Sequence, residues 1–226
     1  LGRVRALGGA GYYSGGAGTA LLRGPDAVYG DLVVDNLGVN GQSTVLPGLG
    51  SGVAQAGSGG DLLVTDRASV ATYFVGHWVE VTDGVTGDVR GAWRVAAVEP
   101  GATAALRLEG NATSGPAQVE AGDAWQGGYL FDRLELKGNA KLESADPVRA
   151  GSIAVEGGTT WDGTAALVPL EAAGTVEVTG VLRAGEIRAH DLVVREGGTL
   201  SHPSGGAGLW VELEGSLTVE AGGAID

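Results

Sequence analysis

The sequence predicts an all-β fold: a right-handed parallel β-helix, or solenoid, carrying an inserted small antiparallel β module. Three observations predict it. A short apolar-alternating strand that runs into a glycine turn recurs at residues 32–38, 134–139, 153–158, 192–198 and 217–223, with residues 176–180 as a further copy. Such repetition of one strand–turn unit is the mark of a solenoid. Glycine supplies 43 of 226 residues without Gly-X-Y spacing, which excludes collagen and implies many turns between many short strands. No stretch of comparable length shows a helical period; the one short helix expected is at residues 66–75, with Asp66 as its cap.

Coil length follows from the glycine spacing. Gly138, Gly157, Gly180, Gly197 and Gly222 are separated by 19, 23, 17 and 25 residues, a mean of 21. That lies in the ~20–29-residue range of strand-based solenoids. Unequal steps suit a parallel β-helix, in which only the strands must stack and turns vary in length. The leucine and asparagine frame of leucine-rich repeats is absent. Within a copy, alternation sets the faces: Leu217 and Val219 point one way, Thr218 and Glu220 the other.

Taken in order, residues 8–18 form a glycine-rich stretch. No Gly-Lys-Ser/Thr follows it and no βαβ context surrounds it, so it reads as a solenoid loop of tight turns rather than a nucleotide loop. The first strand copy, at residues 30–38, ends near Gly38, and residues 43–60 read as a connector rich in glycine and serine. Residues 60–128 differ in kind. They hold Trp78, Trp93 and Trp125 and three longer strands, at 77–82, 92–98 and 105–109, with residues 83–88 as a hairpin loop. Large side chains there are expected to form the core of a small module. The solenoid resumes near Leu134. The expected division is residues 1–59 and 129–226 as parallel β-helix and 60–128 as the inserted antiparallel barrel or sandwich.

The stretch at residues 8–19 followed by Tyr29-Gly30-Asp31-Leu32-Val33-Val34-Asp35-Asn36, with His77-Trp78-Val79-Glu80-Val81 and Trp93-Arg94-Val95 in the insertion, resembles a repeat segment of giant secreted or cell-surface bacterial proteins. In those, β-helical coils alternate with a small inserted β module. The resemblance covers most of the chain. It implies an adhesin-like or stalk role, an extracellular or cell-surface location, and no catalysis. A shorter stretch, Ala184-Gly185-Glu186-Ile187-Arg188-Ala189, resembles bactofilin, a cytoskeletal β-helix family, and implies end-to-end polymerisation; the aromatic insertion departs from that family. The strand at 217–219 would be the polymerising edge.

Composition narrows the partners. A net charge of −13 opposes nucleic-acid binding and adsorption to anionic membranes. The absence of cysteine excludes disulfides and thiolate sites, and no apolar run is long enough to span a bilayer. The chain begins at Leu1 with no Met anywhere and ends just after a strand copy, as a fragment of a longer polypeptide would. Expected partners are therefore glycans or surface proteins, adjacent repeats of the same polypeptide, or end-to-end copies.

Candidate sites follow from residue type. Asp83 and Asp88 flank a loop with a loose calcium-loop look, but it lacks the Asp-x-Asp-x-Asp-Gly pattern and the distal Glu, so a plain hairpin turn is the favoured reading. No cofactor is expected, although the acidic composition leaves carboxylates free for a divalent cation such as calcium. Trp78, Trp93, Trp125, Trp161 and Trp210 are the candidate ligand contacts, Trp161 and Trp210 lying in the solenoid. His77, His190 and His202 show no metal spacing, although a Ser/His/Asp triad assembles in space rather than in sequence. Pectate-lyase-like β-helices cleave polysaccharides with Asp-bound calcium and a basic residue on the flank. Asp132, Asp191, Arg133 and Arg188 are the residues here that could occupy such a flank, though nothing in the sequence clusters two or three Asp with a base at one strand level.

Overall fold

The computed structural model describes residues 15–162, 169–204 and 208–226, and the chain divides into two compact units: residues 1–47 with 130–226, and residues 48–129. The first unit is a parallel β-solenoid of about four turns. The second is antiparallel. Among the described residues there is no α-helix.

Two parallel ladders run through the solenoid. The first stacks Val148–Val155, Pro169–Val178 and Glu186–Val194, then Trp210–Leu213 and Leu217–Val219. The second stacks Thr44–Leu46, Lys141–Ser144, Thr160–Asp162, Val181–Arg183, Thr199–Ser201 and Ala224–Ile225. Neighbouring strands in such ladders lie about 4.7–4.9 Å apart, so each inward side chain sits on the equivalent side chain of the coil below. Val148, Leu170 and Ile187 form one inward column, and Ile153, Val176 and Leu192 a second. Leu142, Trp161, Leu182 and Leu200 form a third. All ten are at most 2% exposed, so alternation in the sequence has become a continuous apolar core.

The long strands bend. Their register shifts between Ala150 and Ile153 and between Ala172 and Thr175, which divides each strand between two faces. The bend leaves no room for side chains: a Cβ on Gly151 would lie 2.5 Å from the Asp132 carbonyl oxygen, and one on Gly174 2.9 Å from that of Gly151. The turns after the strands use left-handed backbone, at Asn139 (φ 61°), Gly158 (φ 76°), Gly197 (φ 78°) and Gly222 (φ 86°).

Solenoid pairing spans the module in sequence. Leu134 pairs with Leu32 and Leu136 with Val34 in parallel register, 102 positions on. The coil does not stop near Gly38, however: Thr44–Leu46 still pairs with Lys141–Ser144. The module begins at Gly48 rather than at residue 60, because Ser51–Val53 pairs with residues 124–126 and Gly59–Gly60 with Val119–Glu120. The connector expected at 43–60 is thus divided between the two units.

In the module, Trp78–Thr82, Val89–Glu99 and Ala105–Glu109 are consecutive antiparallel neighbours, with residues 83–88 as the first hairpin loop. Leu63, Val79, Val81, Trp93, Val95, Leu106 and Trp125 make its core. The helix expected at 66–75 is a single 3₁₀ turn, Thr72–Phe74, preceded by Ala71 with no side-chain cap; Asp66 does not cap it. Five residues separate Asp66 from that turn, and only Phe74 of the turn is buried, too little to stabilise a longer helix.

Gly180 tests the close approach of stacked coils. A Cβ there would meet the Glu156 carbonyl oxygen at 2.2 Å and that of Thr159 at 2.7 Å, both backbone atoms, whereas one on Gly24 meets nothing within 4 Å. Gly180→Ala is expected to lower stability in urea unfolding by more than about 1 kcal/mol. Gly24→Ala is expected to change it by less than about 0.5 kcal/mol.

Candidate functional site

Outward positions of the first ladder carry charge in alternation. The register sets Arg149 beside Glu171, Glu171 beside Arg188 and Arg188 beside Glu212. Arg149 Nε donates to Glu171 Oε2 at 2.6 Å. Arg188 lies 3.9 Å from Glu171 Oε1 through Nη1 and 3.4 Å from Glu212 Oε2 through Nε, and its Nη2 is 2.6 Å from Glu186 Oε1. At this height each coil thus contributes one charge, opposite in sign to that of the next coil, and the Arg188 coil adds Glu186 beside it.

Beside this ladder the strand bend makes a groove of about 630 Å³. Ala150, Gly151, Ala172, Ala173 and Ala189 are the small residues that line it. Asp132 stands at one end, its carboxylate accepting the backbone N–H of Gly30 at 2.8 Å and of Tyr29 at 3.2 Å. His190 and Glu214 also line it. Charged ladders occur elsewhere on the solenoid: Arg195 bridges Glu177 and Glu220 at 2.6 Å each, and Arg183 lies 3.9 Å from Asp162. Burial and the neighbouring Glu143 push the Asp162 carboxyl up, and Arg183 opposes them. The first ladder is distinguished by the groove it borders.

His190, Asp191 and Ser216 also come together. Asp191 Oδ1 accepts the Ser216 hydroxyl at 2.7 Å and its backbone N–H at 2.8 Å, and Oδ2 lies 2.9 Å from His190 Nδ1. In a nucleophilic triad the imidazole stands between serine and carboxylate. Here the carboxylate stands in the middle, so the serine hydroxyl donates to Asp191 rather than to the imidazole. The arrangement ties one coil to the next.

The other candidate residues separate by burial. Trp93 (1%), Trp125 (2%) and Trp161 (2%) are core, and Trp78 is buried at 9%, so these four are removed from ligand contact. Trp93 donates its indole N–H to the Gly115 carbonyl at 3.2 Å, and Arg67 lies over the Trp125 ring at 5.4 Å. Of the five tryptophans only Trp210, at 67%, is exposed. Asp83 is consumed within its own loop: Oδ1 accepts the N–H groups of Val85 and Thr86, which hold its carboxyl below the usual range, and Oδ2 is 2.7 Å from Arg90. The backbone carbonyl of Asp88 closes the same hairpin. The loop is therefore a self-satisfied turn rather than a calcium cradle. Among the described residues, no three His, Asp or Glu side chains converge as metal ligands do.

His77 is buried edge-on between Phe74 and Tyr129, and His202 is half-buried. Of the flank residues expected from sequence, Asp132 and Arg188 line the groove. Asp191 is engaged by Ser216, and Arg133 is exposed 3.6 Å from Glu135. Residues 8–14 of the glycine-rich stretch lie outside the described residues. Sequence reasoning missed Arg149, Glu171 and Glu212; steps of 22, 17 and 24 residues join them through Arg188, and those steps scatter around the mean coil length. No family model matches the chain, and neither curated proteins nor solved structures give a match.

The Asp191 cluster has a defined pH dependence. The Ser216 hydroxyl, with His190, lowers the Asp191 pKa from 3.8 to about 2. Its contribution to stability is present above pH 3.8 and lost as pH falls toward 2. Asp191 raises the His190 pKa above 6.5, so that contribution is complete below 6.5 and lost as pH rises through the folded value. Asp191→Asn is expected to flatten the acid limb of the stability profile. His190→Ala is expected to lower the thermal midpoint more at about pH 5 than at about pH 9. Variant profiles parallel to the wild type would contradict this account.

Proposed function

We propose that this chain is a structural, non-catalytic segment of a large bacterial surface or secreted protein, serving as part of a stalk or adhesin-like element. The observation that carries the reading is the unbroken stacking of inward columns from coil to coil, which suits a chain whose role is to hold a fixed geometry. Outward ion-pair ladders support it. Arg149–Glu171 and the two Arg195 pairs each join adjacent coils rather than neighbours within one strand. The module at residues 48–129, a compact unit of its own, is the part of the chain to which we assign contacts with partners.

Two measurements test the proposal. Antibodies against residues 48–129 should label intact producing cells or their medium without permeabilisation. A panel of polysaccharides, with and without calcium, should release no new reducing ends or unsaturated sugars. Label confined to the cell interior, or measurable turnover, would overturn it.

A further inference from the structure

We propose that the groove beside the Arg149–Glu171–Arg188–Glu212 ladder binds a neutral, extended oligosaccharide lying along the stacking direction, about one sugar per coil. The inference goes beyond the scaffold reading, which stands whether or not a glycan binds.

Shape is the first support. A volume of about 630 Å³ is within the ~300–1,000 Å³ of small-molecule sites, and its small side chains leave the strand backbone open to approach. Because the bend recurs in successive coils, the groove is elongated across strands rather than along one of them.

Charge selects the ligand class. The lining holds Arg149 and Arg188 against Asp132, Glu171, Glu212 and Glu214. An anionic chain would meet four carboxylates; for a cationic one, Glu171 and Glu212 are already engaged by the two guanidiniums and Asp132 by the Tyr29 and Gly30 amides, which leaves Glu214. A hydroxyl both donates and accepts, so it pairs with either rung. A guanidinium has five N–H donors and a carboxylate about four acceptor sites, more than the ladder's own pairs use. Two coils span about 9.4–9.8 Å, so the Arg–Glu alternation repeats at that distance, close to the disaccharide repeat of an extended β-linked glycan.

An exposed aromatic is the third, independent support. Trp210 is 67% exposed and stands two residues before Glu212, on the same outward face, in register with Glu186, the partner of Arg188. A bare indole beside hydrogen-bonding charges is the pairing that holds a pyranose, whose faces are apolar and whose edges carry hydroxyls.

Titration of the 226-residue chain with cello-, manno- and xylo-oligosaccharides of two to six sugars, followed by NMR shifts, tests the proposal. At least one series should bind, with affinity rising to about four sugars, the number of charged rungs, and then levelling. Oligogalacturonides of equal length should bind more weakly. Arg188→Ala should weaken binding at least about tenfold. Trp210→Ala, a surface change, should weaken it about three- to tenfold. Ala173→Glu should block the groove, and Arg195→Ala, in the ladder away from it, should leave affinity unchanged. Three results would overturn the proposal: no binding of any neutral series at millimolar concentration, tighter binding of oligogalacturonides, or affinities indifferent to Arg188→Ala and Trp210→Ala.

Discussion

Parallel stacking at one strand spacing is the constraint on which the rest of this molecule depends. Two coils at that distance must present compatible side chains at the same height: apolar on apolar inside, opposite charges outside. Inside, the result is columns such as Leu142–Trp161–Leu182–Leu200, where a large indole is accommodated between leucines. At the bends, the same spacing brings backbone carbonyls against the next coil and admits only small residues, as at Gly151 and Gly174. Outside, it places charges one rung apart, where like charges would repel, and the sequence answers with Arg–Glu alternation.

The groove is therefore a by-product of the architecture that the sequence has furnished with particular groups. A bend lined by glycine and alanine leaves a channel, and the outward ladder supplies its polar wall. Asp191 holds the edge of this region by linking the coil of His190 to that of Ser216. The central position of its carboxylate keeps the imidazole from standing between serine and aspartate, as it would in a nucleophilic triad.

Much of the solenoid was legible in the sequence, because inward Val, Leu and Ile at alternate positions followed by glycine leave little choice of fold. The three module strands were legible for the same reason. Boundaries were not: Ser51–Val53 and Gly59–Gly60 pair through backbone groups and carry no apolar alternation to announce them. Nor was the fate of the tryptophans legible beyond the module. Trp161 and Trp210 look alike in sequence, yet one faces the column and the other faces solvent. The charged ladder was illegible because its members are a coil apart and the coils differ in length. Only the register shows that Arg149, Glu171, Arg188 and Glu212 are neighbours.

Backbone amide hydrogen exchange tests the stacking account most directly. In a ladder held coil by coil, the amides of Val176–Val178 and Leu192–Val194, which have a coil on each side, should exchange slowest. Those of Leu217–Val219, whose side chains Leu217 and Val219 are 50% and 44% exposed, should exchange fastest among the strands of that ladder. Equal protection of inner and last coils, or rapid exchange throughout, would contradict the account.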